Sequence, residues 1–389
     1  MQVTTSVWTP RRGWATPLPD GDGEQTLVLV LGGARLTSAD QAVGDVVRRY
    51  PTSVLVGCST AGEFDGSTLY DDSLVVAVVR FADTRIALRT LRVDGATSRV
   101  VGARLARDLV AHAPDLAAVL VLSDGSDVNG SALAQGLAEG AADGARPVAV
   151  TGGLAGDGTR FGRTWVLDGG APTAGRVTAV GLYGERLDVG YASRGGWSIL
   201  GPERVVTRST GNVLLELDGL PALELYKTYL GERAGGLPAT ALLFPLALRS
   251  REHADREVMR TVLGVDEVTQ SMTFAGDVPE GSVVQLMRGT SDRLVDAALD
   301  AGTAARTAAG PDPSSHHQAA LALAISCVGR RVYLGQRVED ELDAVAEGLG
   351  PDYALVGFYS YGELSPLTLG GCDLHNQTMT VTVLRERAA

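Results

Sequence analysis

The sequence predicts an α/β or α+β protein of two related halves, each built of repeated strand–helix–strand–turn–strand units, with layered sheets flanked by helices. Three observations predict it. Short apolar runs alternate with helix-period stretches along most of the chain. A ten-residue segment recurs at a constant offset of 300 residues. The 49 glycines among 389 residues call for frequent turns rather than long uninterrupted helices. The length exceeds one ordinary core, so two domains are expected, 24–210 and 211–389.

The elements justify this in order. An apolar strand, Thr26 to Leu31, leads into a helical pattern, Ser38 to Tyr50, then to Leu55-Val56-Gly57-Cys58-Ser59-Thr60-Ala61-Gly62-Glu63-Phe64 and the strand Ser73 to Phe81. A second copy runs from Ala118 to Leu122 through the helix Ser131 to Ala142 to Val148, the glycine-acid turn Gly153 to Asp157 and the strand Val177 to Tyr183. The boundary falls near Ser209 to Asn212, ahead of the helix-forming run Pro221 to Leu230. Ala241 to Leu248, Phe274-Ala275-Gly276-Asp277 and Val283 to Met287 read as a fainter copy without an internal helix, and Ala301 to Ser315 as a surface loop. The last copy holds Leu321 to Ser326, the helix Arg337 to Leu349, then Leu355-Val356-Gly357-Phe358-Tyr359-Ser360-Tyr361-Gly362-Glu363-Leu364 and Thr378 to Leu384.

Composition narrows the function. A formal charge of −12 argues against general affinity for nucleic acid or anionic membrane, both of which need clustered positive charge. Lys227 is the sole lysine, so no phosphate loop ending in Gly-Lys exists. The first residues lack an apolar leader and no segment approaches the ~18 apolar residues of a membrane span, which places the protein in the cytoplasm. Cys58, Cys327 and Cys372 are odd in number and widely spaced, as in a reduced compartment, and form no zinc-binding pattern.

Repetition explains the glycine-acid turns structurally, so specificity falls to residues that differ between copies: Cys58, Ser59 and Thr60 in one, Tyr359, Ser360 and Tyr361 in the other. Gly57 to Gly62 imitates a nucleophile elbow, but its second glycine comes one residue late. Asp127-Val128-Asn129-Gly130 imitates a calcium loop, yet glycine holds its first and twelfth positions, and the better reading is a cap for the helix at Ser131. His316 and His317 lie in a Pro/Ser loop. His375, between the Gly362-Glu363 turn and the last strand, reads either as a pocket residue or as a histidine bonded to a backbone carbonyl. Cys327 lies beside Arg330 and Arg331, whose field would favour thiolate, against the commoner role of an inert core cysteine.

These segments carry a family resemblance. Gly57 to Glu63, Gly195-Gly196-Trp197 to Gly201-Pro202-Glu203-Arg204, Phe274 to Asp277, Ser326 to Arg330, Gly357 to Glu363 and Leu374-His375-Asn376-Gln377-Thr378 together resemble the FIST family, its N-type and C-type domains covering nearly everything from Thr26 on. The resemblance implies sensing in bacterial signal transduction, often beside kinase or cyclic-dinucleotide output domains, with small ligands such as amino acids. With no room for an output domain, the signal would pass to a separate protein, such as a kinase or cyclic-dinucleotide enzyme. One branch of the family binds haem and senses nitric oxide, and the eukaryotic F-box members use the module for protein recognition.

The first reading is therefore a sensor rather than an enzyme. Its ligand would lie between the halves, among Cys58, Ser59, Thr60, Glu63, Cys327, Tyr359, Tyr361, Glu363, His375 and Asn376. The alternative is a haem-based gas sensor with His375 as axial ligand, the other histidines lying outside the family segments. An unrecognised enzyme or a protein-interaction module comes third, since no paired acid and base stands at a recognised spacing.

Overall fold

A computed structural model describes residues 1–37, 40–237, 239–249, 257–310, 320–367 and 370–387. Ser38, part of the expected first helix, and His316 and His317 lie outside the described residues. The helices among those described are α1 (Gln41–Arg49), α2 (Ser98–Val110), α3 (Gly130–Ala141), α4 (Ala222–Leu230), α5 (Ser291–Ala308), α6 (Val328–Leu334) and α7 (Val338–Leu349). The architecture is mixed α/β with layered sheets and flanking helices, as the sequence predicts.

Three copies of one unit make the core. In each, two parallel strands are bridged by helix, a third strand runs antiparallel to the first, and an outer strand pairs with the third. The first unit uses Thr26–Gly33, α1, Val54–Thr60, Leu74–Arg80 and the outer strand Gln2–Thr9. The second uses Leu116–Ser123, α3, Ala149–Leu154, Arg176–Tyr183 and Arg85–Arg92. The third uses Ala320–Cys327, α6 with α7, Tyr353–Ser360, Met379–Glu386 and Leu187–Arg194. A helix crossover is what joins parallel neighbours, which is why each helical pattern falls between the two. Alternate side chains of the first strands, Leu27, Leu29 and Leu31, Leu120 and Leu122, Leu321, Leu323 and Ile325, meet in one shared inner core.

The units are locked by exchange. The hairpin after each second strand leaves its own unit: Glu63–Asp65 pairs with Tyr353–Ser360, Val166–Asp168 with Val54–Thr60, and Gly362–Ser365 with Ala149–Leu154. The cycle closes around a pseudo-threefold axis. Three backbone bonds repeat it, Ala61 N to Tyr359 O at 2.8 Å, Gly156 N to Ser59 O at 2.9 Å and Tyr361 N to Leu154 O at 3.3 Å. Gly57, Gly152 and Gly357 occupy one position in the three units, where a Cβ would fall within 2.1, 1.8 and 1.9 Å of the carbonyl oxygens of Val30, Val121 and Ala324. Six residues beyond each stand Glu63, Gly158 and Glu363. The turn ending at Gly156-Asp157 is thus one residue out of step with the other two, and Asp157 takes the place of Gly62 and Gly362.

Two sequence expectations are corrected. The fainter copy is no copy, because the described strands between Ser198 and Arg288 form a separate antiparallel sheet packed with α4. Lacking a bridging helix, it has no parallel pair. Residues 301–308, expected in a loop, end α5, whose small face lets it approach α7: a Cβ on Gly302 would lie 2.7 Å from Val345 O, and one on Gly348 2.4 Å from Leu299 O. The 210/211 boundary falls in the turn between the hairpin strands Ser198–Thr210 and Val213–Leu217, and Leu187–Arg194, from before it, completes the third unit's sheet.

The antiparallel domain docks on the second unit through Asp277. Its backbone N–H donates to Ser131 Oγ at 3.0 Å, and its carboxylate accepts from Asn129 Nδ2 at 3.1 Å. Asn129 also caps α3, accepting from Ala132 N at 2.9 Å, as the capping reading of that segment required.

Candidate functional site

All ten residues that sequence singles out are buried. The structure gathers most of them near the axis, where hydrogen bonds inside the protein occupy them. Glu63 accepts from Thr60 Oγ1, from Ser73 N at 2.8 Å and from Ser73 Oγ at 2.5 Å. Glu363 repeats the arrangement, accepting from Ser360 Oγ at 2.6 Å, Thr378 Oγ1 at 2.8 Å and Thr378 N at 3.2 Å. Burial disfavours the charged carboxylate and outweighs these donors. It pushes Glu63 up to about 7 and Glu363 to about 8. Both can therefore carry a proton near neutral pH.

The other candidates are as fully committed. Ser59 Oγ accepts from Trp165 N at 3.0 Å. Tyr359 donates to Glu341 at 2.6 Å, and the same carboxylate pairs with the buried Arg330 at 2.7 Å. Tyr361 donates to Asp157, accepts from Phe161 N at 3.1 Å and stacks on the Phe161 ring at 4.7 Å. Cys58 lies in the inner core. Cys327 is buried, in keeping with the inert core role, and the field of Arg330, which favours thiolate, is outweighed by burial. Arg330 turns to Glu341 and the Leu294 carbonyl, Arg331 to Asp71, and burial with the nearby Glu363 pushes the Cys327 thiol up.

His375 stands opposite Glu363 in the hairpin, not beside Tyr359 or Tyr361. Its Nε2 lies 2.9 Å from the Ser365 carbonyl, and burial lowers its pKa. Asn376 differs from the rest, since neither polar atom of its buried side-chain amide has a partner among the described residues. Gln377 follows with φ +61°, in the left-handed region. Its Nε2 donates to Leu242 O at 3.0 Å, and its carbonyl accepts from Trp197 Nε1 at 2.8 Å.

Above Trp197 the molecule opens. A cleft of about 950 Å³ separates the 3-10 turns 231–236 and 239–243 of the antiparallel domain from α6 of the third unit. Arg233, Leu243, Phe244, Arg288, Thr290 and Tyr333 line it. Tyr333 forms the floor. Its ring meets Trp197 edge-on at 5.8 Å, and its hydroxyl donates to Gly289 O at 2.6 Å. Through Trp197 and Gln377 the floor is joined to Thr378 and so to Glu363. Sequence reasoning passed over this cleft because one wall comes from the antiparallel domain, which belongs to no repeat, and the other from α6, which precedes the recurring helix of the third unit. The available signal was Arg288-Gly289-Thr290, a cation and a helix cap at the end of an apolar strand.

Two family models match the chain, described as the FIST N domain over residues 26–220 and the FIST C domain over 222–366. No curated protein matches it. Among solved structures it is similar to a chorismatase, at 13% identity with 98% of this chain and 97% of that one covered and a TM-score of 0.38. A cyanuric acid hydrolase from A. caulinodans is similar at 9% identity, 93% and 90% coverage and a TM-score of 0.35.

Proposed function

The chain belongs to the FIST family, and we propose that it is a small-molecule sensory protein whose ligand occupies the cleft between the antiparallel domain and α6. FIST domains are associated with small-ligand sensing in signal transduction. The observation that carries the finer reading is the cleft itself. Its volume of about 950 Å³ suits a metabolite, and its walls come from the antiparallel domain and the third unit, so a ligand bridging them would stabilise the contact between the two.

Binding rather than turnover is the reading we favour, because the acids expected in a site are turned inward and hydrogen-bonded within the protein and the thiols are buried. The signal would pass to a separate signalling protein, and the three free buried cysteines fit a cytoplasmic setting. No described helix is long and apolar enough to cross a membrane.

Haem does not fit His375. Its Nε2 is engaged by the Ser365 carbonyl, its ring is buried between paired strands, and it is not among the residues lining the cleft.

Val332 lines the cleft and is 38% exposed, so Val332→Trp fills the space without disturbing a core. In a thermal-shift screen of metabolite-sized compounds, those that raise the Tm of the native protein should leave the variant unmoved. Equal shifts in both proteins would place the ligand elsewhere.

A further inference from the structure

We infer that the cleft selects a small organic anion, a carboxylate or phosphate ester with an apolar body, held by Arg233 and Arg288. The inference rests on the cleft being the ligand site and names the chemistry it recognises.

The charge arrangement carries it. The neighbouring arginines of the third unit are all committed: Arg330 to Glu341, Arg331 to Asp71, Arg337 to Asp292 and Asp340. Arg233 and Arg288 line the cleft, and among the described residues neither forms an ion pair with a carboxylate. In a protein of net charge −12, two unneutralised guanidinium groups on one concavity form a local field opposite to that of the whole molecule. Glu232 also lines the cleft, leaving a net positive lining.

The geometry is selective as well as charged. Arg233 lies over the Phe244 ring, 5.4 Å from its centroid, which restrains the long side chain before any ligand arrives. Leu243, Phe244 and Val332 offer apolar wall, and the Thr240 and Thr290 hydroxyls offer further donors. Guanidinium groups bind carboxylate and phosphate oxygens through paired N–H donors, so an anion with an aromatic or aliphatic body satisfies both kinds of surface. A cation would face two like charges with one carboxylate in compensation.

Isothermal titration of the full chain with benzoate and phenyl phosphate, and with benzamide and benzylamine as neutral and cationic counterparts, tests this. The anions should bind more tightly than benzamide and weaken with added salt. They should lose about 10- to 100-fold in affinity in Arg233→Ala and in Arg288→Ala, and bind undetectably to Val332→Trp. The ratio of benzoate to phenyl phosphate affinity decides between the two head groups. Benzamide or benzylamine binding as tightly as the anions, anion binding unchanged in both arginine variants, or no anion binding to the native protein would overturn the inference. If the neutral or cationic probe still loses its binding in Val332→Trp, the cleft remains the ligand site and only the anion class falls. If Val332→Trp changes nothing, the cleft reading falls too.

Discussion

The ring of residues around the pseudo-threefold axis and the cleft beside α6 are two polar regions of one molecule with opposite solutions for their charges. At the axis, glutamates and tyrosines are buried and matched by hydroxyls, backbone N–H groups or a single buried arginine. In the cleft, Arg233 and Arg288 are exposed and form no ion pair among the described residues. The motifs that recur along the chain belong to the axis, because closing three units on one another demands the same turn each time. The cleft is assembled where a domain present once meets α6 of the third unit. Repetition therefore marks what holds this protein together, and the unrepeated insertion supplies one wall of the cleft we propose as the ligand site.

The largest breaks in the axis should come from Gly357→Ala and Gly152→Ala. With the Ala324 carbonyl 1.9 Å from the new Cβ, the parallel pair must separate, at a cost of about 4–5 kcal/mol or more. Gly152→Ala places its Cβ 1.8 Å from the Val121 carbonyl and adds the strain of a φ of +146°, so it should cost at least as much; Gly57→Ala should follow, and denaturant unfolding of the three variants checks this order. Next in size is Arg330→Met, which leaves Glu341 buried without its cation. Both side chains are wholly inaccessible, and breaking such a pair costs about 3–5 kcal/mol, measurable in the same unfolding experiment.

A third effect depends on pH. Glu63 and Glu363 have folded-state pKa values raised above the usual 4.5, to about 7 and about 8, so the native state holds protons that the unfolded chain releases. Their contribution to stability is full below the unfolded value and is lost as pH rises through the folded values. Glu363 faces the Ser360 and Thr378 hydroxyls, with Cys327 and Arg330 near, and Glu63 faces Thr60 and Ser73 with Asp71 near. From pH 5 to 8 stability should fall by roughly 1 kcal/mol per unit for each group, and Glu363→Gln should flatten its share of that slope in a pH series of melting curves. The smallest effect sharpens the contrast between the regions. Arg288→Ala should leave unfolding free energy within about 0.5 kcal/mol of the native protein, although it weakens anion binding.

Much of the axis was legible in the sequence. The match of Leu55 to Phe64 with Leu355 to Leu364 found two equivalent second strands and their buried glutamates, and periodicity located α1, α3 and α7. The threefold closure was not legible, because it depends on hairpins pairing with the neighbouring unit, a long-range choice that no local pattern records. The same gap hid the one-residue offset at Gly156-Asp157, which shows only when Gly152 is seen beside Val121. The alanines of 301–308 suggested a loop, whereas packing against α7 makes small residues an advantage. The candidate residues were found as a group, but sequence cannot distinguish polar side chains lining a pocket from polar side chains sealing a core. The cleft escaped because Arg233, Arg288 and Tyr333 are far apart in the chain and ordinary in their local settings.

Hydrogen–deuterium exchange with and without the compound that most raises the Tm in the thermal-shift screen tests the division between sealed axis and open cleft most directly. The account predicts slowed exchange in residues 231–244 and 288–290, with 57–63 and 357–365 unchanged because they are already protected. Slowed exchange confined to 57–63 and 357–378, with 231–244 unaltered, would contradict it and return the ligand to the axis.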